Sequence, residues 1–253
     1  MRILSYNCRG LGKSSTVLQC KKKALESKPD VLFPMETRLA KDKGERIWQK
    51  CGFTCGWEFP REGFSGGLIL ARRPKQQLHI IFESKNLVHN NLMDNRGNPL
   101  SITFVYGHPY HTKRDPVWAK LRELKLLSHP NWLCIGDFNQ ILFVNDKFSF
   151  ASYKTTRMDA FQQLVFYLEL CELAPSGQRY TWMDNRLEED FVMERLDWAF
   201  ASVDWINSYP YYGLRNQPIL HSDHGPVLLD FDLLSPFKYR PFRFEHMWIT
   251  HPS

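Results

Sequence analysis

The chain has 253 residues, of which 43% are hydrophobic and 14% aromatic, and its net charge is +6. This composition excludes an intrinsically disordered chain and predicts a globular protein of one or two domains. The longest apolar runs are far shorter than the roughly 20 residues of a membrane helix, and the N-terminus turns polar too early for a secretory signal. We therefore expect an intracellular protein without a membrane partner. The modest positive charge admits a polyanionic partner without identifying one.

The N-terminal segments are predicted to form a strand, a helix and a second strand. Residues 2–6 form the first strand, and Ser14 or Ser15 caps the helix that follows. The second strand covers residues 30–36, where Pro34 cannot donate a ladder hydrogen bond and therefore predicts an edge strand or a bulge. The predicted buried face of the helix consists of Val17, Leu18, Ala24 and Leu25.

The rest of the chain mixes further strands with helices. Several β-rich segments are separated only by short turns, which favours antiparallel pairing. Helices are predicted from Asp115-Pro116 and from Thr156, where Asp159 completes a capping-box pattern. Two mixed sheets packed face to face, with helices outside, fit this order better than one parallel sheet. The predicted strands are 68–72, 78–83, 87–93, 100–106, 132–135, 195–200 and 227–231.

Polar side chains stand at the ends of four predicted strands. Such groups can converge on one rim of a sheet, where loops build sites on a rigid scaffold. Carboxylates with an amide oxygen are hard ligands of the kind that Mg²⁺ takes, and an added histidine suggests phosphoryl chemistry. These residues are Asn7, Glu36, Asp137, Asn139, Asp223 and His224.

Seven short blocks resemble, in order, the signature blocks of the endonuclease/exonuclease/phosphatase superfamily. One such block is a weak indication, but seven in the right order are specific. Within the superfamily, residues 7–12, 180–186 and 240–248 are similar to the apurinic-endonuclease-like domain of plant LINE-type non-LTR retrotransposons. The blocks are Ser5-Tyr6-Asn7-Cys8-Arg9-Gly10, Met35-Glu36-Thr37-Arg38, Ser65-Gly66-Gly67, Val105-Tyr106-Gly107, Gly136-Asp137-Phe138-Asn139, Arg195-Leu196-Asp197 and Ser222-Asp223-His224.

The resemblance implies a four-layer α/β sandwich of the DNase I-like kind. It implies a catalytic domain over residues 1–234 and a tail over residues 235–253 that leads to a reverse transcriptase in full-length elements. The implied activity is a divalent-metal-dependent DNA endonuclease that nicks one strand and leaves a 3′-hydroxyl, with Mg²⁺ or Mn²⁺ as cofactor. We expect the isolated domain to be a monomer that acts on DNA in the nucleus.

The resemblance also implies a role for each site residue. Asp137 would orient or deprotonate the attacking water, and Asn139 would fix Asp137 or a phosphate oxygen. His224, paired with Asp197, would donate to a non-bridging oxygen, and Tyr106 would supply a hydroxyl to the phosphate. The implied metal ligands are Glu36, Asn7 and Asp223, and the implied DNA contacts are Thr181, Trp182, Asn185 and Arg186.

Two alternatives to the endonuclease remain open. A catalytically decayed remnant would keep the fold and bind nucleic acid without turnover, and a phosphatase of the same superfamily would share the metal chemistry. Three departures from the usual pattern are consistent with a decayed or repurposed copy, although the implied catalytic residues are all present: Pro34 two residues before Glu36, Gly225 where cysteine or serine is commoner, and an altered segment at 145–148. A core tryptophan is the alternative interpretation of Trp182.

Overall fold

A computed structural model describes most of the chain. The residues described are 1–94, 96–149, 156–184, 191–220 and 222–233, with backbone alone at 156 and 157. In chain order the elements are β1 (Arg2–Asn7), α1 (Ser14–Ser27), β2 (Val31–Met35), α2 (Gly44–Lys50), β3 (Cys55–Phe59), β4 (Leu68–Arg72), β5 (His79–Glu83), β6 (Leu87–Met93), β7 (Pro99–Tyr106), α3 (Asp115–Lys125), β8 (Trp132–Asp137), β9 (Lys147–Ser149), α4 (Thr156–Leu168), β10 (Cys171–Glu172), β11 (Pro175–Gly177), β12 (Trp182–Asp184), β13 (Val192–Glu194), β14 (Asp197–Ala201), α5 (Val203–Ser208), β15 (Gly213–Asn216) and β16 (Val227–Asp230).

The strands form two large mixed sheets and one small sheet. The first sheet has the order β11-β15-β16-β1-β2-β4-β3, and the second has the order β10-β14-β8-β7-β6-β5. Each large sheet contains one central parallel pair, β1 with β2 and β7 with β8, among mostly antiparallel neighbours. The small sheet, β12-β13-β9, lies outside both. The prediction of two mixed sheets is confirmed.

Apolar side chains connect four layers. One buried cluster lies between the two sheets and includes Phe33 and Phe104, whose rings are 5.0 Å apart. A second cluster joins the second sheet to α3 and α4, and a third joins the first sheet to α1 and α2. Burying each of these large side chains contributes about 2 kcal/mol. The order helix, sheet, sheet, helix is the predicted four-layer sandwich.

The buried face of α1 differs from the prediction. Val17, Cys20 and Ala24 are buried, whereas Leu18 and Leu25 are 61% and 58% exposed. Leu18 and Leu25 lie about 100° around the helix from Val17 and Ala24, and the first sheet covers only the narrower stripe. The helix begins at Ser14, after Lys13 as the capping position, so neither predicted serine is its cap.

Pro34 lies inside the first sheet, and the prediction of an edge strand is wrong. β2 is flanked by β1 and β4. Its pairs with β4 are Val31–Arg72, Leu32–Ala71 and Met35–Leu68, so the pairing skips Phe33 and Pro34. The sheet thus tolerates proline because the missing donor falls where β2 and β4 are not bonded.

A buried histidine in the second sheet predicts pH-dependent stability. His89 in β6 is fully buried; its Nδ1 lies 2.8 Å from Thr103 Oγ1, and its Nε2 has no hydrogen-bond partner among the described residues. Burial, with a smaller contribution from His129, lowers the pKa of His89 to about 4. In the unfolded chain this histidine becomes protonated near pH 6.5, whereas in the folded chain it stays neutral down to about pH 4. The unfolding free energy therefore falls as the pH drops from 6.5 towards 4.

We expect wild type to lose about 3 kcal/mol more unfolding free energy than His89→Gln between pH 7 and pH 4. Urea denaturation at a series of pH values measures this difference. His79→Gln, which changes an exposed histidine of the neighbouring strand, is the control and should keep the wild-type profile. Parallel profiles for wild type and His89→Gln would show that His89 is not held neutral.

Candidate active site

The two central parallel strand pairs, β1 with β2 and β7 with β8, end at the same edge of the sandwich. In the first sheet Asn7 is paired with Met35, so Glu36 follows directly beyond that edge. In the second sheet Tyr106 is paired with Asp137. The hydrogen bond from Asn7 Nδ2 to Asp137 Oδ2, 2.9 Å long, joins the two sheets at this edge. The predicted convergence of strand ends is thus present in the structure.

The Asp137 carboxylate is completely buried where the sheets meet. Its Oδ1 accepts a 2.7 Å hydrogen bond from the Asn139 backbone N–H, and its Oδ2 accepts one of 3.1 Å from Asn139 Nδ2. The Asn139 amide also donates to the Gly107 carbonyl at 2.7 Å. Asn139 has a φ of 52°, a left-handed conformation that asparagine tolerates and that turns its amide back towards Asp137.

His224 connects the two buried aspartates. Its Nδ1 donates to Asp197 Oδ2 at 2.9 Å, and its Nε2 lies 3.8 Å from Asp137 Oδ2. Burial alone would lower the pKa of His224, but Asp197 and Asp137 outweigh it and raise that pKa to about 9. Burial raises the pKa of Asp137 to about 7; Asp197 adds to this, and His224 opposes it. The site thus holds a positively charged imidazole beside a carboxyl group that titrates near neutral pH.

Thr181 positions the start of β14 and faces inward. It is 1% exposed, and its Oγ1 accepts 3.0 Å hydrogen bonds from the backbone N–H groups of Leu196 and Asp197. Its carbonyl accepts from the N–H of Gly225, beside His224. Thr181 therefore holds both ends of the Asp197–His224 pair, which is a role that its sequence position did not indicate.

Two arginines lie among the carboxylates at the mouth of the site, and sequence reasoning missed both. Arg9 Nη1 is 2.9 Å from Asp223 Oδ2, and its Nε is 3.9 Å from Glu36 Oε1. Arg38 Nη2 is 2.5 Å from Glu36 Oε1. Arg9 and Glu36 have φ values of 50° and 53°, so both side chains are aimed by strained backbone. The sequence indication for both arginines was that they lie inside two of the seven blocks, residues 5–10 and 35–38.

The donor set at the mouth fits a hard divalent cation. Glu36 and Asp223 supply carboxylate oxygens and Asn7 an amide oxygen, the ligands that Mg²⁺ takes, and guanidinium groups already lie beside both carboxylates. Among the described residues, Asp137, Asp197 and His224 form another cluster with ligand atoms within 4.8 Å of one another. The side chains of this second cluster are almost completely buried, whereas those of Glu36 and Asp223 are 12% and 20% exposed, so we favour the mouth of the site.

The site opens into a cleft of about 620 Å³. Its floor carries Asn7, Glu36 and His224, and one wall carries Trp182. Trp182 packs against Leu196 and donates from Nε1 to Asp223 Oδ2 at 3.0 Å, so it is half-buried at the rim. One part of the Trp182 side chain therefore contacts the core and another part lines the cleft, so each of the two interpretations is partly right.

Three residues of the predicted site remain, Tyr106, Asn185 and Arg186. Tyr106 lines the cleft, and burial, followed by the charges of Glu36 and Asp137, raises the pKa of its hydroxyl, so it remains a hydrogen-bond donor at neutral pH. Asn185 and Arg186 lie outside the described residues, as does the predicted tail at 235–253.

Comparison with known proteins decides the family. The sequence profile of the endonuclease/exonuclease/phosphatase family matches residues 4–224. The chain belongs to this family. No protein with a curated description matches the sequence. The resemblance of the seven sequence blocks is thus confirmed at the level of the superfamily.

Solved structures of family members share the fold at low identity. A 3′ phosphatase, NExo, from Neisseria bound to a product DNA hairpin is 19% identical, with a TM-score of 0.70, and covers 92% of this chain and 99% of its own. The endonuclease domain of TRAS1, a telomere-specific non-LTR retrotransposon, is 16% identical, with a TM-score of 0.66 over 90% of this chain and 97% of its own. The AP endonuclease LMAP from Leishmania major is 16% identical, with a TM-score of 0.69 over 90% and 86%. These likenesses establish the DNase I-like fold.

Gly225 departs from the usual family pattern for a steric reason. A Cβ atom at this position would lie 2.4 Å from the carbonyl oxygen of Gln217. Because that atom belongs to backbone, it could move aside only with its whole segment. Glycine here lets the segment carrying His224 pack closely against the neighbouring loop.

We expect Gly225→Ala to destabilise the protein by about 2 kcal/mol, since overpacking against backbone costs this order of free energy. Thermal and urea denaturation measure the loss. Gly12→Ala is the matched control, because a Cβ at Gly12 meets no atom within 4 Å. Equal stabilities of the two variants would contradict the steric explanation.

Replacing Thr181 tests its hydrogen bonds. Thr181→Val leaves the buried N–H groups of Leu196 and Asp197 without their acceptor, and we expect a loss of about 2 kcal/mol in unfolding free energy. Thr181→Ser keeps the oxygen and should retain most of the stability. If valine and serine behave alike, the hydroxyl is not the acceptor that holds β14.

Proposed function

We propose that this protein is a divalent-metal-dependent DNA endonuclease that nicks one strand and leaves a 3′-hydroxyl. The observation that carries the proposal is the buried chain of Asp137, His224 and Asp197, open to a cleft with Glu36 at its floor. Buried ionisable groups whose pKa values are strongly shifted, as those of Asp137 and His224 are raised here, and that face a cleft are typical of a catalytic site. The related nucleases and the phosphatase share this fold.

The side chains divide the work of phosphodiester hydrolysis. Asp137, with its pKa near neutral, accepts a proton from the attacking water or orients it, and Asn7 and Asn139 keep its carboxylate in place. His224 is protonated and donates to a non-bridging phosphate oxygen while Asp197 fixes its tautomer. Tyr106 supplies a second donor to the phosphate.

Glu36, Asn7 and Asp223 would hold the Mg²⁺ or Mn²⁺ ion. When bound, such an ion polarises the scissile phosphate and neutralises developing negative charge. Arg9 and Arg38 already carry positive charge at the same carboxylates, so they keep the acidic floor compatible with an approaching polyanion.

DNA contacts are proposed on the wall of the cleft. Trp182 offers an indole edge at the rim, and Asn185 and Arg186, which lie outside the described residues, are proposed as further contacts. Thr181 contributes indirectly, because its hydrogen bonds hold the backbone at Leu196, Asp197 and Gly225. Action on nuclear DNA as a monomeric module beside a reverse transcriptase follows from the likeness to LINE elements and stays a prediction. Among the described residues, no helix combines the length and apolar character needed to cross a membrane.

A plasmid assay tests the proposal. We expect conversion of supercoiled to open-circular DNA with Mg²⁺ and none with excess chelator. Glu36→Gln and His224→Asn should each lower the nicking rate by at least about a hundredfold, the usual effect of removing one charged catalytic group. Glu26→Gln and His79→Gln, at exposed positions on α1 and β5, are matched controls and should nick at the wild-type rate. Extension of the nick by a DNA polymerase confirms the 3′-hydroxyl.

Two outcomes would replace the proposal. Release of phosphate from a 3′-phosphorylated oligonucleotide without plasmid nicking would assign the protein to the phosphatase activity named for the Neisseria structure. A gel shift of DNA with no hydrolysis of either substrate would identify a binding remnant.

A further inference from the structure

The cleft also carries an exposed aromatic side chain that the proposed hydrolysis does not use. The loop after β7 contains His108 and Tyr110, and Tyr110 is 68% exposed. Their ring centroids are 5.7 Å apart, with 37° between the ring planes. Both residues line the same cleft as Glu36 and His224. An apolar ring thus faces the space that the substrate fills.

This loop is rigidly held. Arg114 donates from Nε to the His108 carbonyl at 2.8 Å and from Nη2 to the Pro109 carbonyl at 2.9 Å, and its Nη1 binds Gln140 Oε1. The Tyr110 N–H donates to His108 Nδ1 at 3.1 Å. An exposed ring on a pinned backbone loses little conformational entropy when a ligand stacks on it. The loop is therefore preorganised for binding.

Positive charge accompanies the rings in this cleft. Lys113 Nζ is 6.0 Å from the centroid of the Tyr110 ring, and Arg114 lines the same cleft. Lys85 also lines it and is ion-paired with Glu62. Glu194, which also lines the cleft, is ion-paired with Lys147. Lys113 and Arg114 therefore offer positive charge beside Tyr110 to the phosphate backbone of a bound strand.

We propose that the His108–Tyr110 pair is a stacking platform for one unpaired base of the strand that is cut, and that Lys113 binds the adjacent phosphate. Inside a duplex both faces of a base are covered by its neighbours, so an exposed ring can stack only on a base that has left the helix or never joined it. The protein then prefers sites beside a mismatch, a gap or a single-stranded end. The proposal deepens the proposed function and takes DNA as its partner from it.

Binding measured in excess chelator, where no strand is cut, tests the platform. The probe is an oligonucleotide duplex with one unpaired 2-aminopurine, compared with the same duplex fully paired. We expect quenching of the unpaired probe and about tenfold weaker binding of it by Tyr110→Ala, with little change for the paired duplex. Tyr110→Phe keeps the ring and should bind like wild type. Phe166→Ala, on the outer helix α4 and 85% exposed, is the matched control.

The phosphate contact has its own readout. Lys113→Gln should lower the slope of log affinity against log salt by about one while leaving the 2-aminopurine quenching in place. The proposal is overturned if Tyr110→Ala binds paired and unpaired probes as wild type does, or if wild type does not quench the probe. Loss of plasmid nicking with intact, Tyr110-dependent quenching would refute the endonuclease and leave the platform standing.

Discussion

A completely buried carboxylate at the junction of two sheets is the constraint on which the site depends. An ionised group without water must find hydrogen bonds and opposite charge, or it becomes neutral. Asp137 finds Asn7 from the first sheet, Asn139 from its own turn and the imidazole of His224. His224 then requires Asp197. One buried group thus determines the position of four others, drawn from both sheets.

This dependence explains why the sequence was informative about the centre of the site. Asn7, Asp137 and His224 lie at or near the ends of strands that the apolar pattern predicts, so the sequence suggests that they converge, and the strand pairing brings them together. The joint presence of several blocks identified a family that no single block could. Mixed sheets and four layers followed from hairpins interleaved with helices.

Side-chain direction and tertiary contact were harder to predict. Nothing local indicates that Arg9 reaches Asp223, because the partners are far apart in the chain. Thr181 was expected at the DNA surface, yet its burial depends on the approach of β14. The exposed Leu18 shows the same limit, since helical periodicity gives the apolar stripe but not the width of the sheet that covers it. The sheet accommodates Pro34 because β2 and β4 are not paired at that position, and the sequence of β2 alone does not indicate this gap.

The pairing of β1 with β16 determines when the first sheet can finish folding. Ser5 in the first strand is paired with Val227 near the end of the described chain, so the first sheet contains contacts spanning more than two hundred residues. Such long-range closure is slow, because the chain entropy of the loop is lost before the contact forms. Because synthesis proceeds from the N-terminus, Asn7 is made long before the segment that carries His224. The buried site is therefore completed only after His224 has been synthesised, and shorter nascent chains hold Asp137 and Asp197 without the imidazole that balances them.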